Sequence, residues 1–357
     1  MMLDVTKAWS DKEMRYEQQL TACRFSPCGQ YIVAASLDFD LQRWNLDTDE
    51  RTSLSGHPTW IGDLVFHPDQ RRLYSVDYHG GLFCWDYKQA ASQPLWKKTD
   101  AHVSWARKVA ISSDGNYIAT GGNDCVVKLW TAEGQPVAEF PGHEGYIFSL
   151  AFHPDGKSLL SGDQVGSVRQ WEIPSGKQIR TFDLTVLHTR KENFLAHVGG
   201  VRSLAINASA KLLACGGMAN AKSNSFCPGD PLVVILDFGD STEKARLKPA
   251  QKADGPINSL CFLPDDTLAG IGESAKGASL DFWKSDQPTP VHSIKISSGY
   301  QVDLHPDKLR LAISRFQPNG RGGNGRHATP ETYVSNDGVI DIYHLYDQPT
   351  VDGDAVT

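Results

Sequence analysis

No stretch of this chain approaches the roughly 20 consecutive apolar residues that a membrane-spanning helix requires, and Met1 to Arg15 holds no apolar run like that of a secretion signal. Both absences make the cytoplasm the expected location. The seven cysteines are odd in number, scattered and without a CxxC pair, which argues against a disulfide framework or a zinc ribbon and for reduced, mostly buried thiols. Cys215 and Cys227 flank one loop and are the pair that could approach each other. Excess positive charge is missing too: 35 Lys and Arg against 42 Asp and Glu leave a formal charge of -7. A protein that coats nucleic acid draws its affinity from surplus cations, so nucleic acid is not the expected partner. No Lys-Ser/Thr of the phosphate-loop kind follows Gly320-x-Gly322, which leaves nucleotide binding without its usual machinery. No cofactor is expected.

What the chain does have is turns and tryptophan. Nine Trp and 32 Gly among 357 residues, with 40% apolar and 22% charged side chains, fit an all-β protein with a sizeable core. Apolar residues come in bursts of four to seven separated by turn residues, the mark of strands and hairpins. The clearest unit begins at Gly142-His143 and runs through Tyr146–Phe152, the turn Pro154-Asp155-Gly156, Ser158–Ser161 and Val168–Trp171. In that turn Pro presets one φ and Gly takes the positive φ that reverses the chain. Related turns stand at Pro27-Cys28-Gly29, Asp114-Gly115, Pro264-Asp265 and Pro306-Asp307. The closing aromatic recurs as Trp44, Trp85, Trp130, Trp171, Trp283 and Tyr343, with Leu236 in one place, at spacings of 41, 45, 41, 65, 47 and 60 residues. Such a period is that of a four-stranded unit repeated around a ring.

Together with Gly56-His57, Ala101-His102, Gly142-His143, Ala196-His197 and Trp85-Asp86, this pattern resembles the WD-repeat family over nearly the whole chain. The resemblance implies a closed seven-bladed β-propeller with four antiparallel strands per blade. It also implies a single domain over 1–357, with blades near 18–53, 54–98, 99–139, 140–193, 194–248, 249–294 and 295–346 and a flexible tail over 347–357. Blade seven runs out after its third strand, at Leu345. Residues 3–9 are expected to supply the missing outer strand, because an open seam would expose an unpaired edge. Ser10 and Glu13, at capping-box spacing, then suggest a short helical turn. The family's buried set of Asp, His, Ser/Thr and Trp is matched best in blade three by His102, Thr120, Asp124 and Trp130. His57, His143, His197 and Trp171 are assigned the same structural role. Blade two has His79, and blade four Val165, where the Asp is expected, so these blades should rely more on apolar packing. Since these His and Asp residues recur at every blade, they read as structure rather than as an active site.

Function is expected at the channel mouth. Six residues before the core positions Phe66, Ile111 and Phe152 stand Trp60, Trp105 and Tyr146; two residues on come Gly62, Arg107 and Phe148, with Arg202 and Tyr300 at the same offset. In the family these offsets face the channel mouth, and exposed aromatics with Arg are typical interface anchors. Three insertions, Leu184–Phe194, Gly217–Pro231 and Phe316–Thr332, should open on the same face. The third holds Arg321, Arg326 and His327 in a stretch, 308–330, without an acidic residue, and so favours an acidic partner segment. The reading is thus a non-catalytic scaffold for a protein or peptide, acting as a monomer or as a component of a larger complex. A propeller hydrolase or lactonase is the alternative. It would need carboxylates or His converging on a metal, whereas the channel positions read Ala22, Asp63, Lys108, Ser149, Ser203, Ser259 and Gln301. A further alternative is an anionic ligand or nucleic acid on the basic blade-seven loop.

Overall fold

The structure, a computed structural model, describes residues 2–348 apart from 70, 90–92, 193, 224–227, 273, 275–276, 318–325, 330–331 and 335. It is all-β, with seven four-stranded antiparallel sheets and single 3₁₀ turns at Val5–Lys7 and Thr185–Leu187. Blades one to seven begin with the inner strands Leu20–Phe25, Ile61–Phe66, Ala106–Ile111, Ile147–Phe152, Ser203–Ile206, Ile257–Phe262 and Gly299–Leu304. Alternation along these strands sends one side chain in two toward a neighbouring blade. The core is accordingly divided into seven apolar clusters, each shared by two consecutive blades. The cluster joining Met14, Ala312, Ile340 and Ile342 of blade seven to Leu20, Phe25 and Trp44 of blade one closes the ring.

Polar links reinforce these seams. The His67 ring meets the Gly115 carbonyl in the turn of the next blade at 3.0 Å, and His305 meets that of Gly29 at 3.0 Å. The His thus bonds the very turn that the Gly makes possible: Gly29 has φ +75, and a Cβ there would lie 2.7 Å from the His305 ring.

The N-terminus does complete blade seven, but with other residues than 3–9. The outer strand is Trp9–Tyr16, paired with Asp337–His344 from Trp9 opposite His344 to Tyr16 opposite Gly338. Residues 5–7 form the 3₁₀ turn, started by the Asp4 side chain accepting from Thr6 N, and Val5 is buried between blades six and seven. Ser10 and Glu13 lie within the strand and cap no helix. The reason is pairing: Met14 fills the seam with blade one, and Arg315 bonds both Glu13 and Asp341, at 2.7 and 2.6 Å, from the second strand of the same blade. The tail assigned to 347–357 lies, from 349 on, outside the described residues, as does Cys227. Cys215 is a buried free thiol.

Blades two, three and four each hold a complete hydrogen-bonded set. In blade four Trp171 Nε1–H donates to Ser161 Oγ at 2.7 Å, and Ser161 Oγ meets His143 Nε2 at 2.6 Å. His143 Nδ1 then meets Asp163 at 2.8 Å. With the serine donating onward, each group is satisfied only if the imidazole is neutral, and burial indeed holds the His143 and His57 pKa values below the usual range. Blade two repeats this with Trp85, Ser75, His57 and Asp77, and blade three with Trp130, Thr120, His102 and Asp124.

The expectation that His79 and Val165 leave blades two and four without the acid is therefore corrected. The carboxylate comes from Asp77 and Asp163, two residues after the serine at the end of the second strand, rather than from the following turn. His197 is corrected in the opposite sense. In blade five Cys215 holds the hydroxyl position, opposite Leu204, and Leu236 stands for the Trp, so that no such set forms around His197.

Candidate functional site

Six of the seven inner strands carry a β-bulge at their second residue, where the register with the next strand slips by one. A bulge leaves its extra residue unpaired and re-aims its side chain. The bulged residues are Thr21, Gly62, Arg107, Phe148, Asn258 and Tyr300. Arg202, whose N–H bonds the Gly216 carbonyl just ahead of the blade-five strand, holds the same place. All seven line one cavity of about 460 Å³ at the end of the channel. The offset recognised in the sequence is therefore the trace of one backbone device used in six blades, with Arg202 in the equivalent place in the fifth. Gly62 has its own reason, since a Cβ there would lie 2.6 Å from the Ala106 carbonyl; without one, blade three comes close enough to bring Arg107 to the mouth.

Rings and guanidinium groups form a continuous array around one half of the mouth. Trp60 meets Tyr78 edge-on with ring centres 6.0 Å apart, and Tyr78 stacks on Trp105 at 4.4 Å and 7°. The Arg107 guanidinium lies 4.9 Å from the Trp105 ring centre, 5.6 Å from Tyr78 and 5.3 Å from Phe148, and Arg202 covers Phe148 at 4.1 Å. Trp105 packs between blades yet keeps 40% of its surface exposed; Tyr146, equally exposed, stands on the rim outside the cavity lining. Sequence reasoning missed Tyr78, which joins Trp60 to Trp105 from the turn after the second strand of blade two. Its signal is its place beside His79, an aromatic in the turn that follows Asp77.

Below the mouth the channel is polar and internally paired. Lys108 Nζ lies 3.6 Å from Asp63, and Arg24 lies 3.3 Å from Asp303, which also accepts the Phe25 N–H at 2.8 Å. Among the described residues no group of three or more His, Cys, Asp or Glu is arranged to hold a metal.

The first two insertions pack on each other. His188–Thr189 pairs with Val198–Gly199 in a small hairpin, and Phe194 and Val198 join Met218 and Ala221 of the second insertion in a separate apolar cluster. Gly199 and Gly200, at φ +102 and +92, return the chain to the ring past Leu187 and Gln164 with no room for a Cβ. Gln164, which bonds the Tyr146 carbonyl, also donates to the His197 carbonyl, so this hairpin stands on the side where the inner strands begin. The third insertion starts on that side as well: Phe316 lies 6.0 Å from the Tyr300 ring. Both ends of the second insertion are strand, because Leu212–Ala219 and Asp230–Asp237 run on as a pair. Arg321 lies outside the described residues, and Arg326 and His327 open a short strand, Arg326–Thr329, paired with Thr332–Val334. Two cations credited to this basic stretch are engaged by acids from outside it, Arg310 by Asp307 and Arg315 by Asp341 and Glu13.

The hairpin is held by histidines. Arg190 Nη1 donates to His197 Nε2 at 2.8 Å, which leaves the His197 proton on Nδ1, donated to His188 Nε2 at 2.8 Å. Burial, and then the repulsion a protonated His188 would meet from the Nδ1–H of His197 and the charge of Arg190, hold the His188 pKa below its usual value of about 6.5. The docked hairpin thus binds this proton less readily than the opened one. Docking is fully present above about pH 6.5 and weakens as the pH falls below it. Amide exchange, corrected for intrinsic rates, is expected to accelerate over residues 188–199 at pH 5.5 relative to pH 7.5, with the inner strand of blade three unchanged.

Comparison with known proteins agrees with this architecture. The WD domain, G-beta repeat profile matches residues 14–45, 49–86, 94–131 and 134–172, all in the first half of the chain. Nuclear distribution protein PAC1 of Arthroderma otae is 29% identical over 197 residues, 46% of this chain and 42% of that protein. The guanine nucleotide-binding protein subunit beta of Arabidopsis thaliana is 28% identical over 241 residues, 63% of this chain and 61% of that one. Apoptotic protease-activating factor 1 of Rattus norvegicus is 26% identical over 241 residues, 67% of this chain and 19% of its own length. The chain thus spans about two fifths of the nuclear distribution proteins. The first four blades thus match the WD repeat in sequence, and the strands of blades five to seven continue the same four-stranded unit in the structure.

Proposed function

We propose that this protein is a non-catalytic interaction scaffold, working in the cytoplasm alone or in a larger complex, which holds a segment of a protein partner across the channel mouth. The observation that carries this reading is the array Trp60–Tyr78–Trp105–Arg107–Phe148–Arg202. Such an array offers planar, preorganised contact area with few rotatable bonds to freeze on binding. Trp105 and Tyr146 each keep 40% of their surface exposed. The carboxylates in the channel support the non-catalytic side, since Asp63 and Asp303 each have a cationic partner and form no acid–base pair. The basic blade-seven loop remains a second place for an acidic segment through Arg321, Arg326 and His327, while Arg315 at its start is already engaged by Asp341 and Glu13.

Truncating Trp105 to Ala is expected to weaken partner binding by about 1–3 kcal/mol, with little change in Tm because the ring is partly exposed. Quantitative capture from cell extract with wild-type and Trp105→Ala baits checks this. An unchanged set and amount of captured proteins would overturn the reading.

A further inference from the structure

The protein carries seven more acidic than basic side chains, yet the described residues lining the mouth include three cations, Arg107, Lys108 and Arg202, and no carboxylate. Lys108 has Asp63 one layer deeper. Arg107 has no such partner: its Nε donates to a neutral acceptor, Asn123 Oδ1, at 2.5 Å, and the rest of the group faces aromatic rings. Burial lowers its pKa, and the groups that act against this are the Tyr78 and Tyr146 hydroxyls, not a carboxylate. A guanidinium remains charged at any physiological pH, so this cation is kept partly out of water without a protein anion beside it. Its terminal nitrogens form the fork that grips a planar or tetrahedral anion in two places.

We propose that the mouth is a receptor for a short acidic peptide segment, in which one anionic side chain pairs with Arg107 while a neighbouring apolar or aromatic residue lies against Trp105. The proposal rests on the scaffold reading above and names the class of its ligand. Cavity size sets the length, since about 460 Å³ takes a few side chains rather than a folded surface. Charge sets the chemistry. Stacked rings with an arginine also suit bases of single-stranded nucleic acid. Such ligands, however, need cations that track a backbone, and here the three cations of the mouth sit together in one recess of an acidic protein.

The test starts from a random 12-residue phage-displayed library panned on the full-length protein, followed by anisotropy titration of labelled synthetic copies of the selected peptides. Selected sequences should pair Asp or Glu with an apolar neighbour. Replacing that Glu by Gln in the peptide should weaken binding to the wild-type protein tenfold or more, a comparison that needs no protein variant. Arg107→Gln, with its fold checked by melting, should show a loss of the same size, and Arg107→Lys a smaller one. A phosphoserine at the Glu position separates the two sources of anion: tighter binding assigns a phosphorylated ligand, weaker binding a carboxylate. Peptides that bind equally with Gln, or equally to Arg107→Gln, but weaken with Trp105→Ala overturn the anion site and leave the scaffold reading in place. Peptides indifferent to both positions, an empty selection, or tighter binding of a labelled twelve-nucleotide oligo(U) overturn both.

Discussion

A chain lacking residues 2–16 is expected to yield no folded monomer, whereas one lacking residues 2–8 is expected to fold and to melt only a few degrees lower. The shorter deletion loses one buried side chain, Val5, and the Asp4 N–H bond to the Leu345 carbonyl. The longer one strips the whole outer strand from Asp337–His344, removes Met14 from the seam between blades seven and one, and takes Glu13 from Arg315. It also opens a long strand edge rich in Val, Ile and Tyr, of the kind that pairs with other chains. Against a total stability of about 5–15 kcal/mol, losing a complete ladder and a ring-closing seam exceeds what the remaining blades can compensate. Size-exclusion chromatography and thermal melting of the two truncations decide the matter. A monomeric 17–357 fragment melting near the wild type would show that the ring does not depend on this closure.

The second large effect is expected at a single carboxylate. Asp163 is fully buried; it meets His143 and accepts the N–H groups of Val165 and Ser167 at 3.0 and 2.8 Å. Asp163→Ala leaves those donors unsatisfied in the interior, frees the His143 tautomer, and loosens the Ser161 and Trp171 links above it. A loss of about 3–5 kcal/mol is expected, because three buried donors, His143 Nδ1–H and the two backbone N–H groups, lose their acceptor at once and each unsatisfied group costs about 1–3 kcal/mol before the site relaxes. His197→Ala should cost less than about 1 kcal/mol, because His197 is partly exposed and contributes to a surface hairpin rather than to a blade. Urea unfolding of the two variants measures the contrast. Equal losses would mean that the sets of blades two to four are not the framework of the ring.

Much of this was legible in the residues. Blade number followed from the recurring Trp, the Pro-Asp-Gly turns gave the hairpin positions, and the need for N-terminal closure came from a seventh blade one strand short. The exact strand was missed because Leu3–Trp9 alternates, whereas the true strand follows Trp9 with four consecutive polar residues, Ser10 to Glu13, and a bulge between Ser10 and Lys12. What decides between them is Met14 fitting the seam and Glu13 meeting Arg315, both contacts between distant parts of the chain. The buried acids were missed for a similar reason. Asp77 and Asp163 belong to the strand end rather than the turn, and a two-residue shift along the chain changes the motif while leaving the carboxylate within reach of the same histidine.

The sequence by itself determined the local and periodic features: four short strands per repeat, the turns between them, seven repeats, and which offsets belong to the inner strands. Short-range rules suffice there, since side-chain alternation and turn chemistry act within a few residues. Only the tertiary structure decided that six bulged residues and Arg202, one from each blade, meet in one cavity, and that Tyr78 bridges two tryptophans. It also decided that Arg315 is spent on the closing strand while Arg107 keeps its charge for the mouth. Each of these depends on distances between residues tens to hundreds of positions apart, which only the closing of the ring sets.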